Sequence, residues 1–221
     1  MDRGKQGAKR LLLALTLAFA GGGSGVAADS SRLPDSHEQA ETPPAFLDFC
    51  ARFADQCAKA PGAPTIVTLD DPAMQLLVRV NHAVNTAITP EDDKTHYGRD
   101  EFWTIPADGY GDCEDYALSK RQALLAAGIP ASALRLAVVY SVKTALHAVL
   151  TVSTDKGDLV LDNVSDAIVA WNATDFTWIM VQTPADPLRW DSLRPASARR
   201  GGYTAHTRVS VTNLLTDPDG K

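Results

Sequence analysis

The hydrophobic period of this chain changes once, at Gly128-Ile129-Pro130, and that change decides its fold class. Before it, apolar residues recur at helical spacing. Met74, Leu77, Val80, Val84, Ala87 and Ile88 fall mostly on one face, which predicts an amphipathic helix over 72–88. Asp71-Pro72 opens that helix as an N-cap followed by proline, and Thr89-Pro90 stops it. A second helix is predicted over 112–127, with Gly128 after its end and Pro130 beyond. After Pro130 the period is two and β-branched residues dominate. Residues 134–142, 146–154, 158–164 and 176–182 read as strands, with Lys156-Gly157 as a hairpin turn. Helices followed by an antiparallel sheet predict an α+β fold, the helices packed on the sheet.

The first 28 residues carry a different pattern. Arg3, Lys5, Lys9 and Arg10 precede the uncharged run Leu11 to Ala20, and Val26-Ala27-Ala28 offers a cleavage site. This is the pattern of a secretory signal peptide, which predicts a periplasmic protein starting at Asp29. Ten apolar residues span about 15 Å of helix, half a bilayer core, and no later stretch is apolar enough to span. The full chain has a net charge of −6; losing residues 1–28, with four basic residues and one acidic, takes it to −9. Such a balance excludes nucleic acid and anionic membrane as natural partners and suits a cation. Residues 29–44 read as a flexible leader, 45–185 as one domain and 186–221 as a weakly structured tail.

Of three cysteines, Cys50 and Cys57 can close a local disulfide in an exported chain, leaving Cys113 free. Seven residues of straight helix span about 10.5 Å, beyond disulfide reach. The bridge therefore requires a break in the short helical segment over 45–59.

Cys113 lies in Gly111-Asp112-Cys113-Glu114-Asp115-Tyr116, at the start of the second helix and after an acidic loop over 91–111. Unpaired N–H groups and the positive end of the helix dipole favour a thiolate there. A cysteine hydrolase also needs a histidine to hold the proton and a group to orient the imidazole. His147, early in an apolar strand, suits the first role. Asp162 and Asp166 both suit the second. With Lys156-Gly157 as the turn, His147 lies opposite Asp166, and Asp162 lies opposite Thr151, about 13 Å along the strand at ~3.3 Å per residue. Spacing leaves the two open. Trp103 and Tyr110 are candidates for a second oxyanion donor or for the walls of the site.

The combination of Gly111-Asp112-Cys113-Glu114-Asp115-Tyr116-Ala117, Lys120-Arg121, Gly128-Ile129-Pro130, His147-Ala148-Val149-Leu150 and Leu161-Asp162-Asn163 resembles the bacterial transglutaminase-like cysteine proteinases, over residues 66–182. The resemblance implies a papain-like or transglutaminase-like core with Cys113 as nucleophile, His147 as base and Asp162, rather than Asp166, as orienter. It also implies a periplasmic protease whose substrate is a large surface adhesin. An inner-membrane cyclic di-GMP receptor would be its inhibitor.

Asp112, Glu114 and Asp115 crowd the thiol. Acids in a first helical turn suit the dipole, but their charge opposes a thiolate unless a cation neutralises them. Calcium, bound by six to eight oxygens, is the metal the resemblance implies, at Asp112 and Glu114, with Asp115 as a further candidate. Two other functions remain open: acyl transfer to an amine, as in a transglutaminase or amidase, and a non-catalytic exported calcium-binding adaptor.

Overall fold

The computed structural model describes residue 1, residues 31–34, residue 36 and residues 38–194. The signal-peptide segment and the end of the tail lie outside the described residues. Four helices, α1 (Pro44–Arg52), α2 (Asp71–Ala87), α3 (Asp93–Tyr97) and α4 (Cys113–Ala126), precede most of the strands. With β1 at Gln39–Ala40, β7 at Val169–Ala170 and β9 at Trp190–Ser192, the main sheet has the order β1-β9-β8-β4-β5-β6-β7, with every pairing antiparallel. Its centre is β4 (Leu134–Ser141) and β5 (Ala145–Thr154); β6 is Gly157–Leu161 and β8 Thr177–Gln182. This is the expected α+β arrangement. No helix among the described residues is long and apolar enough to cross a membrane.

One sheet face carries Leu134, Leu136, Val138, Leu150, Val152, Leu159 and Leu161 into a core with Phe46, Phe49, Leu77, Leu118 and Leu124 of the helices. The alternate residues Ala137, Val139, Val149, Val160 and Val181 form a second cluster with Leu33, as period two requires. Because both faces are covered, β5 is buried along nearly its whole length, and α4 lies against it and against α2. Asp70, one residue before the expected cap, accepts the Ala73 N–H at 2.9 Å and starts α2.

The Cys50–Cys57 disulfide forms, with Cα atoms 5.6 Å apart. The break it requires is present: α1 stops at Arg52 and a 3₁₀ turn carries Ala54–Cys57.

Three local features differ from expectation. The hairpin turn is Asp155-Lys156, because Thr154 pairs with Gly157 and Leu150 with Leu161. Gly157 takes φ 115, which favours glycine. The acidic loop over 91–111 is not open. Its ends form a short parallel pair, β2 (Thr89–Pro90) with β3 (Tyr110–Gly111), and α3 sits inside it.

The third difference lies at the domain boundaries, which are wider than 45–185. Leu33 is buried, the Asp158 N–H donates to Ser31 O at 2.8 Å, and β1 (Gln39–Ala40) pairs with β9 (Trp190–Ser192). The segment expected as a leader and the start of the expected tail therefore complete one edge of the sheet. Trp190 has 0 % exposure and meets Phe46 and Trp103 edge-on. Two hydrophobic positions in a polar context are a weak signal, which is why pattern alone missed this edge. We expect Trp190→Ala to lower the unfolding free energy by about 3–5 kcal/mol in chemical denaturation; a loss under about 1 kcal/mol would show that β9 is dispensable.

Candidate active site

The site forms where the start of α4 meets the start of β5. Gly111 admits it sterically, since a Cβ there would come within 2.5 Å of Asp115 Oδ2. Cys113 is the first residue of α4 and the free thiol among the described residues. The backbone N–H of Ala148, next to His147, donates to its Sγ at 3.3 Å. The thiol in turn donates to Glu114 Oε2 at 3.2 Å. Burial pushes the Cys113 thiol well up, and the charges of Glu114 and Asp112 push it further.

His147 is buried, and its Nε2 lies 2.8 Å from Asp162 Oδ1. The observed turn explains the contact. Moving the turn back one residue shifts the pairing by two, so Asp162 follows directly after the Leu161–Leu150 pair. The separation from His147 along the sheet falls to about two residues, some 7 Å at ~3.3 Å each, and side chains span the remainder. The Val164 N–H also donates to Asp162 Oδ1, at 3.1 Å, and Asn85 Nδ2 donates to the Asp162 carbonyl at 3.1 Å. Asp166 is engaged elsewhere, with His82 Nδ1 at 2.9 Å and Asn85 Nδ2 at 2.8 Å. Phe176 meets the His147 ring edge-on at 6.0 Å.

The acids around Cys113 form a larger cluster than the motif suggests. Asp93 of α3 and Glu101 join Asp112, Glu114 and Asp115. In three overlapping groups (Asp112, Cys113 and Glu114; Asp93, Glu101 and Glu114; Asp93, Asp112 and Asp115), one ligand atom from each residue lies within 4.8 Å of the others. Asp112 occupies the cap position of α4 but makes no capping hydrogen bond, so capping does not explain its carboxylate. Asp93 Oδ1, Asp112 Oδ1, Glu114 Oε1 and Asp115 Oδ2 are buried without a hydrogen-bond partner. Backbone N–H groups hold the second oxygen of two of them: Phe102 donates to Asp93 Oδ2, and Thr104 to Asp115 Oδ1 at 2.8 Å.

Burial raises all five acids. Asp115 is pushed up to about 8, and Glu114 stands well above the carboxylate range, with the Asp112 charge adding to each. Four orphaned carboxylate oxygens within one cluster of buried acids fit a hard, oxygen-seeking divalent cation. The cluster includes Asp112, Glu114 and Asp115 as expected. Asp93 and Glu101 were not singled out from sequence, although both stand in the acidic loop whose composition signalled a site.

Trp103 is a core residue. It is buried in the helix–sheet core, and its Nε1 donates to Glu101 Oε2 at 3.1 Å, so its N–H is already committed. Tyr110 is exposed. Lys120 was legible only as part of a motif, and the structure buries it completely.

The profile of the bacterial transglutaminase-like cysteine proteinases (BTLCP) matches residues 36–198. That span exceeds residues 66–182 at both ends and takes in β1 and β9. Among solved structures, the chain is similar to LapG of Legionella pneumophila, at 25% identity over 62% of this chain and 71% of that one, with a TM-score of 0.44. It is also similar to the calcium-bound form of that protein, at 21% identity over 80% and 91% of the two chains, with a TM-score of 0.48. No curated protein matches it. With most of its length matched by the family profile, and a free cysteine opening the central helix, the chain belongs to the bacterial transglutaminase-like cysteine proteinases and is a cysteine protease.

Proposed function

We propose that this protease is a periplasmic, calcium-dependent endopeptidase with Cys113 as nucleophile, His147 as general base and acid, and Asp162 as orienter. The observation that carries the proposal is the 2.8 Å contact of His147 Nε2 with Asp162, beside a thiol that accepts the N–H of the next residue, Ala148. With Nε2 committed to the carboxylate, Nδ1 is the ring nitrogen left for the thiol.

In the proposed reaction His147 takes the Cys113 proton, and Sγ attacks the peptide carbonyl carbon. The C–N bond breaks as His147 delivers that proton to the leaving amine, giving an acyl-enzyme. Water, deprotonated by His147, then adds to the thioester carbonyl, and the C–S bond breaks. The acid is released and the thiol restored. The backbone N–H of Cys113, at the helix start, is the natural first oxyanion donor.

Calcium would be held by Asp93, Glu101, Asp112, Glu114 and Asp115, and its charge would offset the acids that oppose a thiolate. The four orphaned carboxylate oxygens support this ligand set. Export is supported by the basic and apolar N-terminal pattern and by the disulfide. The family resemblance supports a large surface adhesin as substrate, cut in its N-terminal region near small residues such as paired alanines. It also supports an inner-membrane cyclic di-GMP receptor as inhibitor.

Three measurements test these proposals. Iodoacetamide should alkylate Cys113 faster than a model thiol at about pH 6 in calcium, and His147→Ala should slow it by about 10²-fold or more. Asp162→Asn should slow it far more than Asp166→Asn. A wild-type rate equal to that of a free thiol would sink the triad.

Calcium added to chelator-treated protein should raise Tm, with a gain of about 2.7 kcal/mol at a hundredfold excess over Kd. Asp93→Asn should weaken the calorimetric titration; an unchanged isotherm would remove Asp93 from the ligand set.

Mass spectrometry of the exported protein should give Asp29 as the first residue. An intact N-terminus would mean that the segment is retained.

A further inference from the structure

Lys120 and Arg121 are neighbours on α4, and both are buried. They are held in opposite ways. Arg121 Nη1 donates to Gln56 O at 2.6 Å and its Nε to Leu134 O at 3.5 Å, so backbone carbonyls of the disulfide turn and of β4 satisfy it. Lys120 has 0 % exposure, and its Nζ has no hydrogen-bond partner. A buried ammonium with no partner is costly, and methionine would fill a similar volume without that cost. Core packing therefore accounts for Arg121 and not for Lys120.

The acids whose charge acts on Lys120 are Asp162 and Asp166, at the two ends of the loop that follows β6. Helix α2 grips the same loop. Asn81 Nδ2 donates to the carbonyls of Ser165 and Asp166 at 3.3 and 3.2 Å, and Asn85 reaches the Asp162 carbonyl and the Asp166 carboxylate. Asn81 Oδ1 and Asn85 Oδ1 are buried without partners, as is Lys120 Nζ. The loop carrying Asp162 is thus fixed by neutral amides from α2 and biased by one cation from α4.

We propose that Lys120 is a positioning residue of this protease: its buried ammonium acts through Asp162, holding that residue as the carboxylate that orients His147. The proposal rests on the Cys113–His147–Asp162 triad above. Burial raises Asp162, while the hydrogen bond and charge of His147, the Val164 N–H and the Lys120 charge together bring it below the ordinary carboxylate value. The titratable groups facing the pair are His147 from β5, His82 from α2 (through Asp166) and Lys120 itself.

The sign of the effect follows from burial, which lowers the Lys120 amine to about 7. The ammonium is present in acid, where protonation threatens Asp162, and is lost above neutrality, where Asp162 needs no help. A purely structural lysine would show no such pH selectivity.

The test is Lys120→Met in the full-length exported protein, with calcium, read as the rate of Cys113 alkylation. At about pH 4 the variant should be about threefold slower than wild type, because a rise of roughly one pKa unit takes the Asp162 carboxylate, held below its ordinary value in wild type, through that pH. At about pH 8.5, above the Lys120 value, the two should agree within about twofold. In an Asp162→Asn background, Lys120→Met should have no further effect, because a residue acting only through Asp162 is not additive with its loss. Equal slowing at both pH values, no slowing at either, or full additivity with Asp162→Asn would each overturn the proposal. Should Lys120→Met fail to fold, Lys120→Gln removes the same charge and carries the same measurements. A wild-type Cys113 that alkylates like a free thiol and ignores His147→Ala would overturn the triad and this proposal together. The outcomes that reject Lys120 alone leave the triad standing.

Discussion

Charge buried at the start of α4 is the constraint on which the rest of the site depends. Asp93, Glu101, Asp112, Glu114 and Asp115 stand around one thiol, and burial raises every one of them. Left to itself, a loop bearing such acids would swing them apart into water. Several features prevent this. The β2–β3 pair closes the base of the loop, and Tyr116 Oη donates to Ile88 O at 2.6 Å beneath it. Asp92 caps α3 through the Thr95 N–H at 2.9 Å, and Gly98 ends that helix in the left-handed conformation. Arg52 donates to Trp103 O at 2.6 Å and lies over the Phe102 ring at 4.2 Å, tying the far side of the loop to α1. Each contact is modest. Together they hold carboxylates where electrostatics alone would not leave them.

The second half of the site depends on strand register. His147 lies on β5 and Asp162 directly follows the adjacent strand β6, so a slip of two residues would move the carboxylate along β5 by about 7 Å at ~3.3 Å per residue. The Asp155-Lys156 turn sets the register. Asp155 Oδ1 accepts the Leu69 N–H at 2.8 Å, and Lys156 Nζ donates to Leu69 O at 2.7 Å, so both turn residues are tied to the segment leading into α2. The helix that clamps the 162–166 loop through Asn81 and Asn85 therefore begins beside the turn that places Asp162. Local turn chemistry and helix packing agree on one register, as a uniquely folding sequence requires.

Much of this was legible in the residues. Period and capping located α2 and α4 to within a residue or two, and β-branched alternation located β4, β5, β6 and β8. Cys113 and His147 could be singled out by residue type and order, whereas Asp162 was separated from Asp166 only by the family resemblance. What pattern could not give was anything set by a distant partner. Gly157 reads equally well as the second turn residue or as the first strand residue, and only its pairing with Thr154 decides. Gln39, Ala40 and Trp190 carry no strand pattern of their own, because each is recruited by an existing sheet edge. Asp93 and Glu101 stood undistinguished among the acids of the 91–111 loop, and only the closed loop separates them from the rest. Lys120 looked like any helical lysine, since burial of a charge is invisible to a period.

Magnitudes decide which influence governs the thiol. A helix start favours a negative group by roughly 0.3–1 kcal/mol. A like charge near 4 Å costs about 4 kcal/mol at the effective dielectric of a protein, and the thiol lies 3.2 Å from Glu114 Oε2 with Asp112 also acting on it. The dipole therefore loses: burial first, and then the charges of Glu114 and Asp112, push the Cys113 thiol well up despite its place at a helix N-terminus. Sequence position alone would have led to the opposite conclusion. The same acids form the cation-fitting cluster, so on the proposed reading a cation bound there would offset the very charges that oppose the thiolate.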